Sequence, residues 1–392
     1  MRKYPINPFY ALLALALTVA TFSLSFKGKG LEPEGSESDS LRLIYSRPQA
    51  EWPAPWVDSG ANWKPLGAMP VKLLDVLPRK QPDSLRKIIE LGRTLFFDPI
   101  LSGSNQISCS NCHDPELNWG DNRRTAIGED HQRGNRNSPS LLNVWQVKKL
   151  FWDGRSGSLE DQALQPIQNP IEMNQLIPEL VKELNDIKAY REEFGKAFGQ
   201  KKASAERIAK ALAAFERTIV SRPTKFDKFV EGKKEALSDR ELRGMHLFRT
   251  KAKCMNCHSG PYFTNGEFHN IGLTYYHSDK YRDLGLYEVT KNPEDVGKFR
   301  VPALREVMRT GPWMHNGLFT VMDGIMNMYN AGMPRPKRKE HQKDDKLFPQ
   351  TSHLVHELDL SKEERDDIVA FLQSITSRPY YQLDRPELPR DK

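Results

Sequence analysis

Cysteine is scarce in this chain, which has 392 residues and only four Cys. A small scaffold held together by disulfides is therefore excluded. A strong charge of one sign is also missing, because 58 Lys and Arg stand against 51 Asp and Glu. The basic residues form no long stripe, so nucleic acid is not an expected partner. Intrinsic disorder is excluded in turn, since hydrophobic residues make up 38% of the chain and it contains seven Trp.

Long apolar runs are missing from the sequence beyond its N-terminus. There, Arg2 and Lys3 precede an uncharged segment, residues 4–26, whose centre is ALLALALTVATF. A short basic head before an apolar run is typical of an export signal, here with a cleavage site after Ala20, and the run is also long enough to remain as a membrane anchor. We assign residues 1–29 to an export signal or anchor and expect the rest of the chain to be exported.

Runs that alternate apolar and polar residues are short and few, which predicts few strands. Residues 30–80 begin as a Gly-, Ser- and acid-rich tether and continue as an arm rich in Trp and Pro. Apolar residues at helical spacing begin at Pro82 and recur over residues 176–199 and 203–221. Three capping patterns mark further helix starts: Ser158 with Asp161, Ser238 with Glu241 and Ser361 with Glu364. The predicted fold class is mainly α, with long loops and few short strands.

All four cysteines lie in two pentapeptides, each closed by a histidine. CSNCH covers Cys109–His113 and CMNCH covers Cys254–His258, and each follows a helical segment with a Leu-Phe pair. This internal repeat indicates two related halves with a boundary near residues 222–238. The proposed division has three parts: a domain of residues 81–222, a domain of residues 238–378 and a C-terminal tail of residues 379–392.

The pattern Cys-x-x-Cys-His is the attachment signature of c-type haem. Its two thiols add across the vinyl groups of the porphyrin, and the adjacent histidine becomes an axial ligand of the iron. The alternative is zinc, for which each pentapeptide would supply three ligands, but neither has an obvious fourth. Two matches that use every cysteine of an exported chain favour two covalently bound c-type haems. The predicted haem-binding residues are Cys109, Cys112 and His113 at the first site and Cys254, Cys257 and His258 at the second.

Several longer motifs resemble the bacterial dihaem cytochrome c peroxidases, the family that also contains the methylamine-utilisation enzyme MauG. The motifs follow the order of the family and extend from about residue 80 to residue 376. They are RNSPSLLNV at Arg136–Val144, FWDGR at Phe151–Arg155, SLEDQALQPIQNPIEM at Ser158–Met173, FRVPALREV at Phe299–Val307 and TGPWMHNG at Thr310–Gly317. The resemblance implies two cytochrome c-like haem domains in a periplasmic protein, with peroxide reacting at the N-terminal haem and external electrons entering at the C-terminal haem.

The resemblance also implies catalytic residues. Glu172 resembles the distal glutamate over the N-terminal haem, where a carboxylate can move a proton between the two oxygen atoms of peroxide. Gln162 resembles the neighbouring distal amide, which can orient bound peroxide or water. Trp152 resembles the tryptophan between the two haems, where an indole can carry an electron hole, although a buried Trp is also an ordinary core residue.

A calcium ion between the haem domains is a further implication of the resemblance. Asn137, Thr310 and Pro312 match its ligands in the family. A side-chain amide and two backbone carbonyl groups suit Ca²⁺, with waters completing the shell.

Two positions depart from the pattern of the peroxidases. A histidine that ligates the N-terminal haem in many members falls on Glu129 here, and His131, two residues away, is the alternative ligand. Without such a histidine we expect the ferric protein to react with peroxide directly.

The second departure concerns the methionine that ligates the C-terminal haem, which is replaced by Tyr329 as in MauG. A phenolate is hard and anionic, so it favours ferric and higher-valent iron. Met322, Met326 and Met333 lie on the same helical face and are alternative ligands after a register change. Core packing is the other role of such a methionine stripe.

The leading hypothesis is a dihaem cytochrome c peroxidase that reduces hydrogen peroxide to water with electrons from a small c-type cytochrome or similar carrier. The first alternative is a MauG-like oxidase that uses high-valent iron to oxidise a partner protein or a small molecule, which Tyr329 and the missing histidine favour. The second is a pure electron-transfer protein, against which the Gln162 and Glu172 pair argues. A homodimer is compatible with the resemblance, and membrane contact is expected only through an uncleaved N-terminal segment.

Overall fold

A computed structural model describes residues 37–70, 80–377 and 384–391. The predicted export signal or anchor, residues 1–29, lies outside these ranges. Contacts divide the chain into a unit Met1–Glu37, of which only Glu37 is described, and a unit Ser38–Lys392 that contains every feature discussed below. None of the helices in the described ranges is long and apolar enough to cross a membrane.

Helices dominate the described part of the chain. The α-helices are α1 (Glu37–Tyr45), α2 (Asp83–Phe97), α3 (Leu159–Gln168), α4 (Ile177–Asp186), α5 (Lys188–Phe198), α6 (Ala205–Glu216), α7 (Lys225–Val230), α8 (Asp239–Arg249), α9 (Tyr287–Thr290), α10 (Met322–Asn330) and α11 (Lys362–Ser374). Single turns of 3-10 helix lie at Gln49–Glu51, Pro99–Leu101, Cys109–Asn111, Pro115–Leu117, Glu129–His131, Val144–Gln146, Lys234–Ala236, Cys254–Asn256, Pro293–Asp295, Val307–Arg309 and Glu340–Gln342. The strands β1 (Phe268–His269) and β2 (Phe299–Arg300) pair antiparallel, with Phe268 opposite Arg300. The prediction of a mainly α fold with few short strands is confirmed.

The three predicted helix caps are confirmed. In each, a serine hydroxyl accepts the backbone N–H of the residue three positions on, which satisfies one of the free donors of the first turn. The pairs are Ser158 with Asp161 at 3.1 Å, Ser238 with Glu241 at 3.3 Å and Ser361 with Glu364 at 3.2 Å. In α8 and α11 the glutamate also accepts the backbone N–H of the serine, which completes a capping box.

The helix predicted over residues 176–199 is two helices, α4 and α5, joined at Ile187. The backbone of Ile187 is extended, with φ −81° and ψ 115°. The Arg191 side chain donates hydrogen bonds to the carbonyl oxygens of Asn185 at 2.5 Å and Asp186 at 3.0 Å, which satisfies groups that a continuous helix would have bonded itself. Hydrophobic periodicity did not reveal this break because the apolar face continues across it.

The two halves of the sequence repeat share a packing arrangement. In α2, a Cβ atom on Gly92 would lie 1.8 Å from the carbonyl oxygen of Ala211 in α6. In α8, a Cβ atom on Gly244 would lie 1.8 Å from the carbonyl oxygen of Asp367 in α11. Each glycine therefore allows a close helix crossing, at the same distance before the Leu-Phe pair of its repeat.

Each helix pair also carries a matching aromatic contact. Phe96 and Phe215 meet edge to face with ring centroids 5.2 Å apart, and Phe248 and Phe371 do so at 5.3 Å. The first pair belongs to an apolar core within residues 89–219, and the second to a core that also takes in the buried side of α1. The first cysteine of each pentapeptide packs against the corresponding core. The assignment of residues 81–222 and 238–378 to two domains stays a prediction.

The Trp- and Pro-rich arm crosses the second pentapeptide. The backbone nitrogen of Asp58 donates to the side-chain oxygen of Asn256 at 2.9 Å, and the Asn256 amide donates back to the Asp58 carboxylate at 2.7 Å. Further along the arm, the carbonyl oxygen of Lys64 accepts the backbone N–H of Gly260 at 3.0 Å. The arm is thus bonded directly to the loop that carries CMNCH.

Candidate functional site

The two pentapeptides fold in the same way. Each forms one turn of 3-10 helix from its first cysteine. The backbone nitrogen of His113 donates to the carbonyl oxygen of Cys109 at 3.0 Å, and that of His258 donates to Cys254 at 2.8 Å. The turn brings the first cysteine and the histidine of each pentapeptide together.

Both pentapeptides line one cavity of about 990 Å³. Its wall contains all the haem-binding residues that the sequence predicts: Cys109, Cys112, His113, Cys254, Cys257, His258 and Tyr329. The predicted catalytic residues Trp152, Gln162 and Glu172 lie in the same wall. The fold therefore brings residues from distant parts of the chain around one large internal space.

The two pentapeptide histidines are neutral and oriented by the backbone. Nδ1 of His113 donates to the carbonyl oxygen of Trp119, and Nδ1 of His258 donates to the carbonyl oxygen of Phe263, both at 3.1 Å. A carbonyl oxygen can only accept, so Nδ1 carries the proton and Nε2 keeps its lone pair. Burial lowers the pKa of both rings to about 4. A metal-binding histidine typically has this tautomer, with one ring nitrogen donating to a carbonyl oxygen and the other free to bind the metal.

None of the four cysteines forms a disulfide, and all four are half-buried. Burial, the largest cause, raises the pKa of Cys112, Cys254 and Cys257 to about 12 and raises that of Cys109 as well. All four are therefore neutral thiols available for thioether bonds. Within the described ranges, no group of three or more His, Cys, Asp or Glu side chains is placed to hold a metal ion.

Glu172 lies in the cavity wall that also contains the first pentapeptide, and a hydrogen bond orients its side chain. Its Oε1 accepts a hydrogen bond from Nδ2 of Asn169 at 2.7 Å. Burial raises the pKa of the Glu172 carboxyl, although the bond from Asn169 and the charge of Arg155 act in the opposite direction. The Glu172 charge in turn contributes to the raised pKa of Cys112, after burial and Asp121, and both side chains line the cavity. Such a carboxyl is placed to exchange protons with a ligand in the cavity.

The backbone of Glu172 is bonded to the segment around Glu129, where the resemblance places a haem-ligating histidine in many peroxidases. Its carbonyl oxygen accepts the backbone N–H of Glu129 at 2.8 Å. The Glu129 side chain is buried and accepts the hydroxyl of Ser104 at 2.7 Å. His131 is exposed and does not contribute to the cavity wall. The segment thus supports Glu172, and its histidine lies at the surface.

Trp152 joins the two halves of the sequence. Its indole nitrogen donates to the carbonyl oxygen of Asn137 at 2.9 Å, and its own carbonyl oxygen accepts the backbone N–H of Arg300 at 2.9 Å. The side chain is 8% exposed and lines the cavity. The indole is therefore held in one orientation beside the space that both pentapeptides share.

An ion-pair network that sequence reasoning missed lies in the same region. Arg136 forms a two-bond contact with Asp283, at 2.7 Å from Nε and 2.8 Å from Nη2, and its Nη1 lies 2.5 Å from Asp153. Arg155 contacts the other side of Asp153 at 3.0 Å. Arg136 and Asp153 belong to the RNSP and FWDGR motifs, so the motifs could have identified both as candidate functional residues. Asp283 belongs to a loop of the second half, and only the fold brings it here.

Tyr329 lies in α10 beside the second pentapeptide. Burial raises the pKa of its phenol, and the nearby Cys257 and Cys254 act in the same direction. The ring packs against the same apolar core as Cys254 and lines the cavity with both CMNCH cysteines.

The alternative methionines divide into two sets. Met322 and Met326 are buried and line the cavity with Tyr329. Met333 is buried in a separate apolar cluster with Leu273 and Val355 and does not line the cavity. Among the side chains of this stripe, position alone therefore favours Tyr329, Met322 and Met326 over Met333.

The three predicted calcium ligands all belong to the cavity wall. Asn137, Thr310 and Pro312 all line it, although they come from both halves of the sequence. The backbone nitrogen of Asn137 donates to the carbonyl oxygen of His315 at 2.7 Å, and its side-chain nitrogen donates to Arg123 at 2.9 Å. These bonds orient the Asn137 amide, and calcium at this site stays a prediction.

Comparison with known proteins gives consistent matches. The family model for di-haem cytochrome c peroxidase matches residues 86–235. A cytochrome-c peroxidase, IdrP1, from Pseudomonas sp. (strain SCT) is 34% identical over 353 residues, which cover 83% of this chain and 88% of the relative. The methylamine utilization protein MauG of Methylophilus methylotrophus is 36% identical over 304 residues, 76% of this chain and 84% of that one. The crystal structure of a MauG-like protein associated with microbial copper homeostasis covers 82% of this chain and 95% of its own, with 29% identity and a TM-score of 0.67.

The chain belongs to the di-haem cytochrome c peroxidase family. The resemblance read from the motifs is confirmed, and so is the assignment to the oxidoreductases. The chain is similar both to a cytochrome-c peroxidase and to MauG.

The residues of the two pentapeptides suit the binding of two haems. Each pentapeptide offers two neutral thiols and one neutral imidazole whose Nδ1 is already bonded to a carbonyl oxygen. His113 and His258 would hold the irons, and the cavity between them is large and continuous. The donor set is thus that of haem iron.

Glu216 is a buried acid that sequence reasoning missed. It ends α6, is 5% exposed and lines the cavity. Its Oε2 has no hydrogen-bond partner, and burial raises the pKa of the carboxyl to about 8. Its position among apolar residues of a helix gave no signal, because helical periodicity marks buried positions without saying which polar residue occupies them.

Proposed function

We propose that this protein is a cytochrome c peroxidase, which reduces hydrogen peroxide to two molecules of water with two electrons and two protons. The observation that carries the proposal is Glu172, a half-buried carboxyl held by Asn169 at 2.7 Å in the wall beside the first pentapeptide. An electron carrier has no use for an acid–base group at this place, whereas peroxide cleavage requires one.

The proposal assigns one covalent haem to each pentapeptide. Cys109 and Cys112 form the thioether bonds of the first haem and His113 is its ligand, and the corresponding residues of the second haem are Cys254, Cys257 and His258. When bound, the haems supply the redox centres, the first for peroxide and the second for incoming electrons.

Glu172 and Gln162 are the proposed catalytic side chains. The Glu172 carboxylate accepts a proton from one oxygen atom of hydrogen peroxide and returns it to the other, so that the departing oxygen leaves as water. The raised pKa supports this role, because a carboxyl that takes and gives a proton works best when its pKa is moved toward the working pH. Gln162 of α3, which lines the same cavity, orients the peroxide through its amide.

Trp152 is the proposed path for electrons between the two redox centres. Its indole is held by Asn137, and its backbone is bonded to Arg300 of the second half. The electron donor is a small c-type cytochrome or similar carrier. A periplasmic location after export, calcium at Asn137, Thr310 and Pro312, and a homodimer belong to the same proposal.

The test is Glu172→Gln, with the exposed Glu179→Gln of α4 as the matched control. With a reduced cytochrome as electron donor, we expect kcat for peroxide to fall by about 10²–10⁴-fold in the first variant, the usual contribution of a general acid–base. The haem spectra of both variants should equal those of the wild type. Unchanged turnover in Glu172→Gln would remove the central residue of the proposal.

A second candidate function is that of a MauG-like oxidase, which oxidises a partner protein or a small molecule. The observation that favours it is Tyr329, which packs against the same apolar core as Cys254 and lines the cavity with Cys254 and Cys257. A phenolate ligand would make the second haem a poor store of electrons. The same assay separates the functions: negligible turnover with the reduced cytochrome, together with a long-lived oxidised state after peroxide addition, would favour the oxidase. Two six-coordinate haems that bind neither peroxide nor cyanide would indicate pure electron transfer.

A further inference from the structure

Arg300 is a buried arginine at the junction of the two halves. It is 8% exposed and lies in β2, where its backbone nitrogen donates to the carbonyl oxygen of Trp152 at 2.9 Å. Its Nε donates to the carbonyl oxygen of Phe151 at 3.2 Å, and Nη1 makes a long contact of 3.5 Å with the carbonyl oxygen of Val301. The guanidinium is therefore held against the FWDGR segment and lines the cavity.

No carboxylate in the described ranges pairs with Arg300. Burial is the sole cause acting on its pKa, which falls to about 10, so the side chain is still charged at neutral pH. The contrast is with Arg305, which is equally buried but makes two bonds to Asp227, at 3.0 and 2.8 Å. A buried charge without a partner is costly, and proteins compensate such charges with a counter-ion.

The free donors of Arg300 point to the kind of counter-ion. A guanidinium has five N–H groups, and two are used on Phe151 and Val301, which leaves three. Parallel N–H groups of this fork bind a carboxylate through two bonds. A large cavity that contains haem-binding residues of both pentapeptides borders the same side chain.

We propose that Arg300 is the counter-ion of a haem propionate at the junction between the two halves, and that its charge raises the reduction potential of that haem. The inference rests on the two haems of the family and is independent of the proposed peroxidase reaction. Because Arg300 is bonded to the backbone of Phe151 and Trp152, a propionate that it holds would lie near the segment that carries the indole proposed to transfer electrons.

The test compares Arg300→Gln and Arg300→Lys with the wild-type holoprotein. Loss of a positive charge beside a haem disfavours its reduced state. We expect the equilibrium constant for reduction of one haem to fall about tenfold in Arg300→Gln, which is ~59 mV for one electron, and to fall less in Arg300→Lys. The propionate bending bands in the resonance Raman spectrum should move in both variants, because the two-bond contact is lost in each.

The control is Arg309→Gln, which removes the positive charge of a side chain that does not line the cavity. It should leave the potentials and the propionate bands unchanged. A structural role alone would lower the unfolding temperature of Arg300→Gln without moving the bands, and that result would overturn the proposal. Should Arg300→Gln yield no folded holoprotein, unchanged bands in Arg300→Lys would overturn it equally.

A soluble anion is the other source of a carboxylate. The wild type is therefore titrated with acetate at constant ionic strength. Potentials that do not respond to acetate support the propionate. A saturable shift that disappears in Arg300→Lys would assign the site to a free anion and contradict the proposal.

Discussion

The indole nitrogen of Trp152 donates a hydrogen bond of 2.9 Å to the carbonyl oxygen of Asn137. One residue is the proposed electron path and the other a proposed calcium ligand, so the bond links the two predicted sites. Asn137 is bonded in turn to the backbone of His315, in the second half of the chain. A substitution of a proposed calcium ligand should therefore alter the hydrogen bond that orients the Trp152 indole.

Trp152→Phe removes both the indole nitrogen and the more easily oxidised ring. We expect electron transfer between the haems to slow about tenfold, which corresponds to ~1.4 kcal/mol on the barrier, while haem content stays the same. Stopped-flow spectroscopy after peroxide addition to the half-reduced protein measures the rate. The control is Trp63→Phe on the arm, where 37% of the residue is exposed. Equal rates in wild type and Trp152→Phe would contradict the proposed path.

Tyr329→Phe tests the ligand of the second haem. If the phenol oxygen binds the iron, its loss removes an anionic ligand, so the absorption spectrum of the low-spin haem changes and its potential rises by an amount equivalent to tenfold or more in the reduction equilibrium (~59 mV). Met333→Leu, outside the cavity, should change neither quantity. A spectrum of Tyr329→Phe identical to that of the wild type would point instead to Met322 or Met326.

The raised pKa of Glu216 predicts that the free energy of unfolding depends on pH. Burial raises the pKa of this carboxyl from 4.5 to about 8 in the folded state, so between these values the folded protein holds one more proton than the unfolded chain. Its contribution makes the free energy of unfolding fall by up to ~1.4 kcal/mol per pH unit as the pH rises through this window. Below the window the carboxyl is neutral in both states, and above it the contribution is constant.

The measurement is denaturant unfolding of holoprotein at several pH values between 5 and 8, roughly the window of this carboxyl. Glu216→Gln should show a smaller decline than the wild type. Glu206→Gln, an exposed change on the same helix, should retain the full decline. Parallel curves for wild type and Glu216→Gln would show that Glu216 is ionised in the folded protein.

Asp283→Asn tests the ion-pair network between the halves. Burial works against ionisation of Asp283, but the bonds and charge of Arg136 hold the pKa of its carboxyl below the usual value. We expect the variant to lose about 2–3 kcal/mol of unfolding free energy, less than for a fully buried pair because Arg136 is partly exposed. Asp279→Asn, at an exposed position of the same loop, should cost little. Equal losses of unfolding free energy in the two variants would show that the network does not stabilise the protein.

Local signals in the sequence predicted much of the fold. The capping serines, the start of α2 and the two pentapeptides follow from patterns a few residues long, and the structure has them as predicted. The break at Ile187 was missed because two short amphipathic helices share one apolar face. Helix α1 begins inside the segment interpreted as a tether.

The candidate site was predictable only where a motif marked it. Glu172 and Trp152 stand in motifs that resemble the family, and both line the cavity. Asp283, Arg300 and Glu216 were not singled out, since their significance comes from contacts between residues far apart in the chain. A buried charge can be recognised as unpaired only after the fold shows what surrounds it.

Catalytic reduction of peroxide with electrons from a cytochrome is best tested by the stoichiometry of donor oxidation. The experiment follows a reduced c-type cytochrome while known amounts of hydrogen peroxide are added. Peroxide takes two electrons, so we expect two donor molecules to be oxidised for every peroxide consumed, over many turnovers of the enzyme. Donor oxidation that stops after one equivalent of enzyme, or peroxide consumption without donor oxidation, would contradict it.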